Sequence, residues 1–283
     1  ADLEQMQKKV EAKIEELSRS YQIKEPDLWL DLNLAKEGFS GNVWGVTEKK
    51  LYILQENAES ILSVDQKSKS YQIVAGGDEY TSTEKVAAVN DRVFLNTSNN
   101  NLWVIDVLEK ESIQKKQEQE WGEITDTVGF GSNLYLLDKG EKQIWKYVGI
   151  EAGLGDKTKY LQEDVGLLQE AESLAIDGSI WVLTKNGQVL KFIRGERDHF
   201  VITSLLDSFV EPTDLYTSPE VDNLYILDRK GLRIVLIDKK TGEYMAQYKW
   251  SGLAAAKQIF ADEENGYILV LTGNRIYELE LKK

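Results

Sequence analysis

The chain has 283 residues, 42% of them hydrophobic, with seven Trp and thirteen Tyr, which is enough for one large domain or two ordinary ones. A formal charge of −14 argues against nucleic acid and anionic membrane surfaces, whose phosphates call for Lys and Arg. The absence of cysteine removes disulfides, thiol nucleophiles and Cys-ligated zinc, and no apolar run reaches the ~18 residues of a membrane span.

In chain order, Leu3, Met6, Val10, Ile14, Leu17 and Tyr21 come first, at spacings of 3, 4, 4, 3 and 4. That stripe, with Lys, Glu and Gln on the other faces, predicts an amphipathic helix over residues 2–22 that stops before Pro26. Two readings stand for it: the tail of a stalk, or a helix packed on the side of the domain that follows. No signal peptide is present, and the chain opens on "ADLEQM" without an initiator Met and already helical in pattern, so a fragment of a longer protein is expected.

Next comes "DLWLDLNL", Asp27 to Leu34, with Leu28, Leu30, Leu32 and Leu34 on one face of a strand and Trp29, Asp31 and Asn33 on the other. Beyond it a pattern recurs: "LYILQ" from Leu51, "RVFLN" from Arg92, "LYLLD" from Leu134, "IWVLT" from Ile180, "LYILD" from Leu224 and "ILVLT" from Ile268. The intervals are 41, 42, 46, 44 and 44 residues. Each copy continues through a polar turn into a second run, such as "NLWVID" from Asn101 or "RIVLID" from Arg233. A shorter run of small residues precedes each copy, such as "ESLAID" from Glu172.

A period in the low forties with two-residue alternation is the signature of propeller blades, each a four-stranded sheet unable to bury its own faces. The sixth copy ends after its third strand, and the Asp27–Leu34 run can supply the missing outer one. The expected fold is therefore all-β: a six-bladed β-propeller over residues 26–283, closed by its own N-terminal outer strand and preceded by one amphipathic helix in residues 1–25.

The blades "LYILDRKGLRIVLIDKKTGE" and "LYLLDKGEKQIWKYV" resemble NHL-type six-bladed repeats. Where Asp138 and Asp228 stand in two of the copies, Gln55, Asn96, Thr184 and Thr272 stand in the others. The stretch "LWLDLNLAKEGFSGNVWGV" resembles the start of propeller modules in membrane-anchored bacterial proteins, some with a metal-dependent serine/threonine phosphatase domain. That resemblance implies an extracytoplasmic module; the composition also allows a cytoplasmic one.

Catalytic candidates are few. His199, in the charged loop "RGERDHF", is the single imidazole and reads as a solvated loop residue, and there is no G-x-S-x-G elbow. Counting back from the six copies places Asn42, Glu84 or Lys85, Asp126, Glu172, Asp214 and Gln258 at the mouth of the central channel. Acids and amides there are hard oxygen ligands of the kind calcium accepts. The set resembles, in type, the metal centre of gluconolactonase-like propellers, which implies a divalent-metal-dependent lactonase or esterase. Polar side chains at a wet channel mouth also need no ligand.

Trp121 in "EWGEITD" and Trp250 in "KWSGLAAAKQ" both lead into innermost strands on one face of the disk. Exposed, they would anchor a protein or glycan; buried, they would wedge neighbouring blades apart. Tyr52, Tyr135, Trp181 and Tyr225 recur at matched positions and are expected to pack. The expected function is a non-catalytic sensor or scaffold module that binds a protein or small ligand on one disk face, without a resident cofactor. Its helix offers a route to oligomers, and the metal-dependent enzyme is the alternative.

Overall fold

The computed structural model describes residues 6, 10, 13–117 and 119–282. Its strands form six sheets around a ring, an all-β six-bladed β-propeller. Blade 1 takes residues 41–76, blade 2 residues 83–116, blade 3 residues 124–159, blade 4 residues 171–198, blade 5 residues 212–249 and blade 6 residues 258–280. Each of the first five blades runs antiparallel from its innermost strand to its rim. The turns have local causes. Between Asp238 and Gly242, for example, Asp238 Oδ1 accepts the N–H groups of Lys240 and Thr241, and Gly242 takes the left-handed φ of 78°.

Blade 6 lacks an outer strand of its own and receives Asp27–Asp31, paired antiparallel to Arg275–Glu280. The strand is shorter than its alternation suggests. A register shift between Leu28 and Leu30 turns both Trp29 and Leu30 inward and leaves Leu28 exposed. Asp31 then caps a 3-10 turn at Leu32–Leu34 by accepting the N–H of Asn33.

The helix also ends earlier than its stripe. Residues 13–18 are helical, Arg19 takes a φ of 47°, and Ser20–Gln22 becomes a strand lying parallel to Tyr244–Lys249. Blade 5 thereby gains a fifth strand, with Tyr21 packed on Tyr248 at a centroid distance of 5.3 Å. Residues 20–22 thus belong to the propeller's sheet system, not to the helix. Leu3 lies outside the described residues. Met6, Val10, Ile14 and Leu17 are exposed, so none of these four packs on the propeller's side.

Six apolar clusters fill the gaps between neighbouring blades, one for each gap. The alternation in each second strand explains how. In blade 1, Leu51 and Ile53 face blade 6, while Tyr52 and Leu54 face blade 2. In blade 5, Leu224 and Ile226 face blade 4, while Tyr225 and Leu227 face blade 6. A strand covered on both faces must be apolar throughout, which is why these runs read as almost unbroken hydrophobic stretches. Each fully buried side chain of this size contributes about 1.5–3 kcal/mol. Tyr52, Tyr135, Trp181 and Tyr225 all pack in these gaps.

Candidate functional site

The ring around the channel is built by one residue of each innermost strand, placed by its pairing with the second strand of the same blade. These pairs are Val43 with Leu54, Lys85 with Asn96, Asp126 with Leu137, Ser173 with Leu183, Asp214 with Leu227 and Gln258 with Leu271. In blades 1 to 5 the register slips just before this position, which leaves Asn42, Glu84, Thr125, Glu172 and Thr213 as the extra residues of β-bulges. Blade 6 runs without the slip.

The bulges correct the ring expected from the sequence. Asp126, Asp214 and Gln258 occupy ring positions, and Lys85 rather than Glu84 represents blade 2. Asn42 and Glu172 do not: Val43 and Ser173 take their places, because one extra residue moves the next side chain to the opposite face. The same offset applies at the outer end of the second strand. Thr97 pairs with Thr83 as Asp138 pairs with Ile124, so Thr97, not Asn96, is the blade 2 counterpart of Asp138.

Around the ring, side chains reach from one blade to a backbone N–H of the next. Asp126 Oδ2 accepts the N–H of Leu174 at 2.8 Å, Ser173 Oγ that of Leu215 at 3.1 Å and Asp214 Oδ2 that of Ile259 at 2.7 Å. Gln258 Oε1 accepts the N–H of Trp44 at 2.6 Å, which closes the circle from blade 6 to blade 1. Each acceptor satisfies a donor that the ring would otherwise leave buried and unpaired.

Two carboxyls meet in this ring through one hydroxyl. Ser173 Oγ lies 3.1 Å from Asp126 Oδ2 and 3.3 Å from Asp214 Oδ1, while Asp126 Oδ1 accepts the N–H of Thr127 at 2.8 Å. All four carboxyl oxygens therefore have a hydrogen-bond partner within the protein. Burial raises Asp126 above the usual carboxylate range, opposed by the Lys85 charge and the N–H donors of Leu174 and Thr127. Burial, reinforced by the neighbouring Asp126 charge, pushes Asp214 up to about 7.

Among the described residues, no group of three or more His, Cys, Asp or Glu side chains converges as a metal would require. His199 is exposed on its loop. Trp121 and Trp250 are 7% and 9% exposed, respectively. Trp121 wedges between blades 2 and 3, donating Nε1–H to Tyr147 Oη at 3.0 Å, and Trp250 wedges between blades 5 and 6 against Tyr277. Both indoles are therefore packing elements, in place of the exposed anchors that a partner would need.

A second buried polar cluster sits at the corners of blades 5 and 3. Asp228 and Arg233 pair at 2.9 Å. The carboxylate also accepts the N–H groups of Val210, Glu211 and Gly231, and the guanidinium donates to Gln247 and to the carbonyls of Asp207 and Ser208. Asp138 does the same work in blade 3, accepting from Gly122, Glu123, Glu141 and Trp145 Nε1. Blades 2 and 4 replace the acid with Thr97 and Thr184, whose hydroxyls accept the N–H of Asn101 and Gln188. These clusters hold corners of the fold, and their polar groups bond to one another and to the backbone around them.

Two surface depressions, one beside Lys50 and Tyr71 and one beside Arg92 and Ile150, lie towards the ends of the strands opposite the ring. No helix among the described residues is long and apolar enough to cross a membrane. In comparison with known proteins, neither a family model nor a curated protein matches the chain. The propeller assignment rests on the chain's own repeat and strand pairing.

Sequence reasoning missed Ser173, the residue that joins the two ring acids. Its only signal was its place in the small-residue run "ESLAID", which does not distinguish a bridging hydroxyl from a filler.

Proposed function

We propose that this chain is a non-catalytic binding or scaffold propeller. The observation that carries the reading is the state of the ring: the acids and the amide best placed for chemistry are already committed to hydrogen-bond partners within the fold. A site in which every carboxylate oxygen is spoken for holds blades together; it does not present an open coordination position. The NHL-type resemblance of the blades, the sensor role and an extracytoplasmic place in a larger membrane-anchored bacterial protein belong to the same proposal. The likeness of "LWLDLNLAKEGFSGNVWGV" to such modules supports them, as does the exposed apolar stripe of Met6, Val10, Ile14 and Leu17 ahead of the disk.

The test sets binding against catalysis. The protein is assayed with a panel of lactones and aryl esters, with calcium and with chelator, and its thermal melt is recorded in both. The expected outcome is no turnover above buffer and no calcium-dependent rise in melting temperature. Calcium-dependent turnover that disappears in Asp126→Asn would replace this reading with the metal-dependent hydrolase.

A further inference from the structure

Ser173 joins the two ring acids, and the proton count at that junction does not close with both acids ionised. The hydroxyl has one proton to donate, and one of its lone pairs already receives the Leu215 N–H at 3.1 Å. With Asp126 Oδ2 at 3.1 Å and Asp214 Oδ1 at 3.3 Å, it can donate to one carboxyl only. The second contact becomes a hydrogen bond only if that carboxyl brings its own proton. Otherwise two anions face one donor in a dry site.

The surroundings decide which acid keeps the proton. Blade 2 presents Lys85 to Asp126, a cation that favours the carboxylate there. Among the described residues, no cation forms an ion pair with Asp214. Blade 4 offers it the Ser173 hydroxyl, blade 6 the Ile259 N–H, and the charge that acts on it is that of Asp126. The other ring members, Val43 and Gln258, are uncharged.

We propose that Asp214 is a carboxylic acid that donates its proton to Ser173, which donates in turn to the Asp126 carboxylate, forming a proton-held clasp across blades 3 to 6 that loosens when the proton leaves. Asp126 fastens blade 3 to blade 4, Ser173 fastens blade 4 to blade 5, and Asp214 fastens blade 5 to blade 6. One proton thus serves three consecutive blade junctions. The burial of Asp214 and its position near neutrality agree with this assignment.

The direction of the pH effect follows from proton uptake. An aspartate ionises near 3.9 in an unfolded chain, about 3 units below the folded Asp214, so between those values the folded state holds the extra proton. Stability from this group is therefore greatest below about pH 4, declines as pH rises toward 7, and falls no further above it.

Asp214→Asn is the informative variant, because its amide can still accept from Ile259 while donating to Ser173, as the protonated acid does. Melting temperatures of both proteins are compared from pH 4 to 9 in chelator. The wild type should lose about 4–5 °C more than the variant between pH 5 and 8. Parallel curves would overturn the proposal.

A carbon-13 carboxyl titration of the wild-type protein provides a readout that does not depend on the variant folding. One aspartate should titrate near neutrality, and a spectrum with no aspartate ionising above pH 6 would also overturn the clasp. So would a melting temperature at pH 8 that calcium restores to its pH 5 value, since a cation, not a proton, would then be what the two acids share.

Discussion

On either side of blade 2 the innermost strands touch through glycine, whereas at the other four junctions a side chain reaches across the gap. A Cβ on Gly45 would stand 2.8 Å from the Ala87 carbonyl carbon, and one on Gly129 only 2.3 Å from the Ala88 oxygen. The ring residues at those junctions, Val43 and Lys85, carry no acceptor. From blade 3 onward the sequence of acceptors is Asp126, Ser173, Asp214 and Gln258. The contrast teaches that a propeller ring can be sealed by close steric contact or by polar bridges. The first requires residues without side-chain bulk, and the second requires residues that can accept a hydrogen bond from a buried amide.

The steric side should be the less forgiving. Gly129→Val forces side-chain atoms into the backbone of blade 2 and should cost about 3 kcal/mol or more, read as a lowered urea midpoint. A loss under about 1 kcal/mol would show that the two strands can part cheaply, and would remove the distinction.

On the bridged side, Gln258→Leu leaves the Trp44 N–H without its acceptor between blades 6 and 1. It should cost about 1–3 kcal/mol and speed hydrogen exchange at the Trp44 amide. Unchanged exchange would mean that the bridge contributes nothing to closure.

Lys85→Met should have the smallest effect, about 1 kcal/mol or less, because Lys85 is only half-buried. Removing its charge raises Asp126 further. A carboxyl raised in the folded state weakens that state as pH climbs, so the deficit should be present in melts at pH 8 and absent at pH 4. A deficit of equal size at both would mark Lys85 as packing by its stem instead.

Much of the architecture was legible because its signals are short in range. Two-residue alternation in "LYILD", the turn chemistry at Lys239 to Gly242 and the missing last strand all pointed to six blades and an N-terminal closing strand. The aromatic positions Tyr52, Tyr135, Trp181 and Tyr225 were also readable as packing, because they recur in step with the repeat. Tyr21 was assigned to the helical stripe by spacing alone, yet it lies in a strand paired to residues more than two hundred positions away. Trp121 and Trp250 could be placed near the disk face, but whether an indole points out or into a blade gap depends on the neighbouring blade, which periodicity does not describe.

The candidate site was half legible for the same reason. Asp126, Asp214 and Gln258 were found by counting, while Asn42 and Glu172 missed the ring by one residue each. Bulges in the innermost strands of five blades, absent from that of the sixth, have no composition of their own, and each one reverses the face of the residue that follows.

Blade number, strand order within a blade and the residues that fill the gaps between blades were set by the linear pattern, since alternation, turns and burial act over a few residues. Which polar groups confront one another across the channel was settled only when the ring closed. Ser173 meets partners 47 and 41 positions away, and Gln258 meets Trp44 across 214. Contacts of that span depend on the register of several strands at once, and a one-residue slip in any of them selects a different set of neighbours.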